Sequence, residues 1–341
     1  MSKVYILANK SILDTNWFYG LYIDLKKYSR VEILDYSYIR GLSFFLNIAQ
    51  SAKIKSFLFS FLLKKNDIIF IPTLLNLHHL DVSKIKCKVV LLCHDAIPFE
   101  PDQKKLSGIN YSKELIDFWK HNLNLLKVIY TVSEYSKKRI SLLLGINLEK
   151  IKVVKNGLDP EFYVQENYTI FQRDVNNNFT YVLISSSNAP RKNFKIIDEV
   201  IKKTNSKTSN IKFVRVGPRC SFFNQYDNLI ELGFIDKKEL ISLYNFCDIL
   251  LFPSKYEGFG LPILEAMHMK LSIITTDLTS IPEVCSFDGA HFVDPNSSDD
   301  IVKRIFNIIE NPEYEKKRNE KNFEKSKNFI WEGKRILEFI K

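Results

Sequence analysis

The chain has 341 residues, 45% hydrophobic and 26% charged, which excludes bulk disorder and is too long for a single ordinary core. No apolar run approaches the roughly 20 residues of a membrane-spanning helix, and the apolar part of the opening MSKVYILANK is too short for a secretory leader; both point to a cytoplasmic protein. The net charge of +10 comes with no recognised DNA- or RNA-binding module and with lysines spread over many helices, so nucleic acid is not the expected partner.

Along the chain, short β-branched runs alternate with helical patterns, as in parallel sheets with crossover helices. Predicted strands in the first half are Lys3–Ala8, Val31–Leu34, Asp67–Ile71, Lys88–Cys93 and Lys127–Val132. A fresh series follows at Tyr181–Ser185, Lys212–Val216, Leu229–Leu232, Ile249–Phe252, Ile273–Thr275 and His291–Val293. Two such sets predict an α/β protein of two doubly wound domains facing a cleft, with ligands at the carboxyl ends of the strands. Asn156-Gly157 and Asp159-Pro160 punctuate the boundary.

Between the second and third strands, SAKIKSFLFSFLLKK (51–65) puts Phe57, Leu58, Phe61 and Leu62 on one helical face, with Lys53, Lys55, Lys64 and Lys65 flanking it. Together with the apolar 41–49 it reads either as a cover for the first sheet or as a peripheral contact with an anionic membrane through 41–65. The five cysteines (Cys87, Cys93, Cys220, Cys247, Cys285) show no CxxC spacing and read as reduced thiols, not zinc ligands; His78-His79 likewise form no metal spacing. The terminal 314–341 segment reads as helical, its EKKRNEKNFEKSKN part as a solvated face.

The stretch SKYEGFGLPILEAM (254–267) carries the chemistry. It follows the apolar strand DILLFPS, and Pro262 suits the first position of a helix running to about Met269. The free N–H groups and positive dipole end of that helix would seat phosphate, and Gly258 and Gly260 would let backbone approach a ligand closely. Glu265 beside that seat can accept from neighbouring ribose hydroxyls, and Glu257 on the loop can reach a second polyhydroxylated group. The pair would then grip the two ends of a nucleotide-sugar.

The run E-G-F-G-L-P-x-L-E-A-M resembles the E-x7-E motif of the retaining glycosyltransferases of GT-B fold, family 4, whose domains are Rossmann-like. VSEYSKKRI (132–140), KIKVVKNGLD (150–159), PRKN (190–193), LGFIDKKELISLYNFCDILLFPS (232–254), IPEV (281–284), VDP (293–295) and FIWEG (329–333) fall in the family's order, so the resemblance covers nearly the whole chain. It implies an N-terminal acceptor domain at 1–157, a donor domain at 158–325 and a C-terminal helix at 326–341 returning to the first domain. It implies donor binding by Arg191, Lys192, Gly258, Phe259, Gly260, Leu261 and Glu265, with His94 and Glu257 at the reacting centre. No Asp-x-Asp metal triplet is present, so the diphosphate is expected to rely on cationic side chains and the helix end, without a metal or cofactor. Where other members carry an arginine some six residues before the lysine, this chain has Ser185-Ser186-Ser187. The loop after the first strand, NKSILDTNWFYGLY, has Asn16 where a glycine is often found, and Lys270-Leu271-Ser272 replaces the common Gly-x-Pro.

The HDAIP and PRKN segments look most like mannosyltransferase-type members. The implied activity is transfer of a hexose from GDP-mannose, or alternatively a UDP-sugar, to a saccharide or lipid-linked acceptor in bacterial O-antigen or capsule synthesis. This would occur in the cytoplasm, at the inner membrane face for a lipid-linked acceptor. The rival expectation is a non-catalytic GT-B protein binding a partner or membrane; a GT-B epimerase would need other acids.

Overall fold

The computed structural model describes residues 3–7, 16–34, 56, 59, 63–78, 80–164, 168, 170–173, 178–219, 223 and 226–338. The chain divides into two compact units. One comprises Met1–Lys104, Ile109–Asp159 and Ile330–Lys341; the other comprises Lys105–Gly108 and Pro160–Phe329. Each is built on a parallel sheet, as the alternating pattern predicts.

In the first unit the described strands are β1 (Lys3–Leu7), β2 (Arg30–Leu34), β3 (Ile68–Ile71), β4 (Lys88–Leu92), β5 (Ile129–Thr131) and β6 (Ile151–Val153). They lie in the order β2-β1-β3-β4-β5-β6. All four residues of β3 (IIFI) are buried, as expected where helices cover both faces of a parallel sheet. The strand β6 is absent from the predicted series. At three residues, opening directly out of the 3-10 turn Leu148–Lys150, it carries almost no alternation to detect.

The 41–65 segment lies almost wholly outside the described residues, including Phe57, Leu58, Phe61 and Leu62, as do His79 and Cys220. Phe59 and Leu63 are described, and both are buried in the core of the first unit beside Leu7, Ile69 and Leu77. Among the described residues no helix is long and apolar enough to cross a membrane.

In the second unit the described strands are β7 (Thr180–Ser185), β8 (Ile211–Val216), β9 (Leu229–Gly233), β10 (Ile249–Phe252), β11 (Ser272–Thr275) and β12 (His291–Phe292). Their order is β12-β11-β10-β7-β8-β9. The amphipathic helices Phe194–Asn205 and Ser298–Glu310 pack together, and Ile197, Val200, Ile201, Ile301 and Ile305 join the sheet in one core.

The C-terminal segment is helical in two pieces: Pro312–Ser326 is followed by a break and then Gly333–Glu338. Beyond the break the chain belongs to the first unit. There Trp331 Nε1 donates to Leu158 O at 2.9 Å and Gly333 N to Asp24 Oδ2 at 2.7 Å. Gly157 is needed for this approach, because a Cβ there would lie 2.5 Å from Trp331 N.

One expectation for this segment is corrected: the charged run is not simply solvated. Glu315, Asn319, Asn322 and Ser326 form a buried polar stripe along its helix. Glu315 accepts from Ser272 Oγ at 3.0 Å and pairs with His291 at 3.0 Å, and Asn322 Nδ2 donates to Gly289 O at 2.7 Å. A polar stripe satisfied by polar partners has no hydrophobic period, so the sequence reading took it for surface.

Candidate functional site

The order of the second sheet places β7 in its middle, with β8 and β9 built outward on one side and β10, β11 and β12 on the other. The chain therefore reverses direction across the sheet between β7 and β10. Open parallel sheets bind ligands at the carboxyl ends of the two strands flanking such a point. Two loops emerge there, 186–193 after β7 and 253–260 after β10.

The loops are tied to each other. Lys255 N donates to Arg191 O at 2.8 Å, and Asn193 Nδ2 donates to Pro295 O at 2.6 Å and to Pro253 O at 3.3 Å. Asn193 adopts φ 63°, which asparagine tolerates, and so lets the 3-10 turn Pro190–Lys192 pass directly into the helix Phe194–Asn205.

This frame brings Lys192 and Glu257 together. The Lys192 ammonium donates to Glu257 Oε1 at 2.7 Å, with both side chains 9% exposed, and lies 4.5 Å from the Phe252 ring centroid. Ser254 Oγ donates to the same carboxylate oxygen at 2.6 Å. The Glu257 backbone is pinned on both sides, its N–H donating to Thr279 Oγ1 at 3.0 Å and its carbonyl accepting from Ser280 Oγ at 2.9 Å.

Burial pushes the pKa of Lys192 below its ordinary value; Glu257 opposes that shift, and the neighbouring Arg191 charge adds to it. Arg191 Nε is itself buried and has no hydrogen-bond partner among the described residues. Two cations therefore stand side by side, with one carboxylate bonded to Lys192. An ammonium has three N–H donors, so the Glu257 bond engages only one of those on Lys192.

The helix Leu261–His268 begins at this place. Gly260 precedes it at φ 106°, a left-handed conformation that explains the glycine on backbone grounds. Pro262 occupies the second helical position and not the first as expected; either position has an N–H without an intrahelical acceptor, so proline costs nothing there. Glu265 sits in the second turn and is buried, and its Oε2 accepts from the Tyr244 hydroxyl at 2.7 Å. Burial, reinforced by the Glu265 charge, raises the Tyr244 pKa well above its ordinary value, so the phenol stays a donor; it is bonded in turn by Ser185 at the end of β7. Phe259 turns its ring into the core, edge-on to Phe329 at 6.0 Å, and its carbonyl accepts from Ser280 Oγ at 3.2 Å. Leu261 is half-buried.

His94 belongs to the first unit. It follows β4, and its Nε2 lies 3.0 Å from the carbonyl of Pro72 at the end of β3. Burial pushes its pKa down to about 4, leaving the ring neutral near pH 7. The adjacent Asp95 carboxylate accepts from Ile97 N at 2.9 Å, fixing the turn that follows.

Ser254, Thr279, Ser280 and Tyr244 went unnoticed in the sequence. Only Ser254 carries a local signal, standing three residues before Glu257. The glycine missing at Lys270 has a backbone explanation, since Lys270 holds the left-handed φ of 61° that a glycine would take with less strain.

The Glycosyl transferases group 1 family matches residues 167–325, the segment that carries every one of these second-unit groups. Residues 167–325 are thus similar to a group 1 glycosyltransferase domain. Over 270 residues the chain is 23% identical to the serotype-specific mannosyltransferase WbdA of Escherichia coli, a match that covers 73% of this chain and 32% of that protein. It thus spans about a third of the length of that relative. It is 25% identical to O-antigen chain mannosyltransferase B of Escherichia coli over 261 residues, covering 72% of this chain and 68% of the relative. The structure of Anabaena HepE, solved in complex with UDP and glucose, superposes with a TM-score of 0.77 at 16% identity, covering 100% of this chain and 98% of that one. The group 1 domain is thus the second unit of a GT-B fold, and the resemblance to mannosyltransferase-type members stands.

Proposed function

We propose that the protein is a retaining hexosyltransferase. It transfers mannose from GDP-mannose, or else a hexose from a UDP-sugar, to a saccharide or lipid-linked oligosaccharide in surface-polysaccharide synthesis. The observation that carries the reading is the pair of adjacent cations, Arg191 and Lys192, held at the switch point with one carboxylate on Lys192 and the start of the Leu261–His268 helix alongside. Such an excess of positive charge suits a diphosphate. The mannosyltransferase relatives favour mannose as the sugar.

In this reading Arg191 and Lys192 hold the diphosphate oxygens, Glu257 meets the donor-sugar hydroxyls while orienting Lys192, and Glu265, steadied by Tyr244, accepts from the ribose. The acceptor hydroxyl attacks the anomeric carbon on the face the diphosphate leaves. A new C–O bond forms, the C1–O bond to phosphate breaks, and the acceptor proton passes to the departing phosphate oxygen. His94, neutral at working pH, donates to or accepts from the sugar without carrying charge.

Calorimetric titration with GDP, UDP and dTDP, beside the Glu265→Ala variant, tests the donor site. Selective binding weakened in the variant by about 1.5–3 kcal/mol, a charge-assisted contact, is the expected result. Absence of binding by all three would move the assignment to a non-catalytic GT-B protein. Turnover followed by NMR reports the anomeric configuration of the product, and inversion would refute the retaining mechanism.

A further inference from the structure

Near the carboxyl end of β8, Arg215 is fully buried, at a register position opposite Ile184 of β7. Its guanidinium makes three outward bonds: Nη1 to Glu231 Oε1 at 2.6 Å, and Nη2 to Asn188 Oδ1 at 2.5 Å and to Pro218 O at 2.7 Å. The rings of Phe194 and Phe223 lie against it, with centroids 5.0 and 5.5 Å from the guanidinium carbon. Burying an arginine this completely is costly unless its fork is used, and here the fork reaches three separate pieces of chain.

What it reaches is specific. Asn188 and Phe194 bracket the segment that carries Arg191 and Lys192, and Arg215 touches both. Asn188 is fixed from a second side, its Nδ2 donating to Arg219 O at 3.1 Å. Beneath it the turn after β8 packs directly on the loop: Gly217, at φ 127°, leaves no room for a Cβ against Ser186 O. The segment bearing the two cations is thus met at both ends by one buried guanidinium, which adds to the core packing of Phe194.

We propose that Arg215, acting through Asn188, is a positioning residue for diphosphate binding: it sets the 188–194 segment so that Arg191 and Lys192 converge on one anion. This rests on the donor-site reading above. Because Asn188 is exposed, its truncation should spare the fold while loosening one end of the segment.

The test titrates GDP and UDP into the wild type and the Asn188→Ala, Arg191→Gln and Asn188→Ala/Arg191→Gln variants, with melting temperatures measured in parallel. Asn188→Ala should weaken binding of the preferred nucleotide by roughly tenfold, the value of one charge-assisted bond, with an unchanged melting temperature. In the Arg191→Gln background the same change should cost clearly less than tenfold, since one of the two cations it positions is gone. Arg215→Lys, which keeps the charge but not the fork, should bind as weakly as Asn188→Ala. Full affinity in Asn188→Ala, or a tenfold loss undiminished by Arg191→Gln, overturns the proposal. A wild type that binds neither nucleotide overturns the donor-site reading itself, and this inference with it.

Discussion

Lys192→Met should destabilise the second unit sharply, and a companion change should rescue it. The ammonium and the Glu257 carboxylate are 2.7 Å apart and each 9% exposed, so deleting the lysine strands a carboxylate out of water with only Ser254 Oγ still donating to it. Breaking a buried pair from one side costs about 3–5 kcal/mol. For a unit of this size each kcal/mol moves the midpoint by about 2–4 °C, so the expected drop is roughly 6–20 °C. Adding Glu257→Gln removes the stranded charge while keeping an acceptor for Ser254, and should recover most of the loss.

Glu257→Gln alone separates burial from charge. It leaves Lys192 under the burial and the Arg191 repulsion that already lower its pKa from 10.5, and removes the partner that opposed them. The unfolded chain then binds a proton that the folded one does not, throughout the window between the depressed pKa and 10.5, so stability rises with pH across that window. Scanning calorimetry with pH raised toward 10.5 should show the Glu257→Gln deficit shrinking. A Lys192→Met midpoint within about 1 °C of wild type, or no rescue in the double variant, would refute the buried pair.

The same logic extends to four further sites. Tyr244→Phe leaves Glu265 without its phenol donor in a buried setting and should cost about 1–3 kcal/mol of second-unit stability by thermal melting, with weaker nucleotide binding alongside. His94 has a folded pKa of about 4 against an ordinary 6.5, so the native state binds fewer protons than the unfolded chain between those values, and stability falls as pH drops through them; His94→Gln should flatten that limb of the melting curve against pH. Gly260→Ala forces a side chain into φ 106° and should lower stability by about 1–2 kcal/mol, whereas Gly145→Asn, at φ 65° where asparagine is tolerated and nothing lies within 4 Å of a Cβ, should be nearly neutral in the same melt.

The sheets were legible because a buried parallel strand is a short run of β-branched and aliphatic residues, and ILLF in β10 or IIFI in β3 has few other readings. Glu257 and Glu265 were legible for a different reason: carboxylates placed around a glycine turn and a proline at a strand's end are out of keeping with a core. The groups that hold them were not. Ser254, Thr279, Ser280 and Tyr244 are residues that strands, turns and helices use everywhere, and they matter here because the fold brings positions up to 23 residues apart within hydrogen-bonding reach.

Arg215 shows the limit most clearly. In IKFVRV the arginine at the fifth position shares a face with Ile211 and Phe213, so strand alternation turns it inward, but nothing in the run says what a buried charge would meet there. The side chain is enclosed between two phenylalanine rings, and Glu231, Asn188 and the Pro218 carbonyl meet its fork from three directions. Hydrophobic periodicity records which faces leave water, but a polar group buried by polar partners leaves no periodic trace. The buried stripe of the 312–326 helix escaped notice for the same reason. The sequence therefore discloses the layers of such a domain and its outlying chemical groups, while the polar scaffolding that aims those groups emerges only from their three-dimensional neighbours.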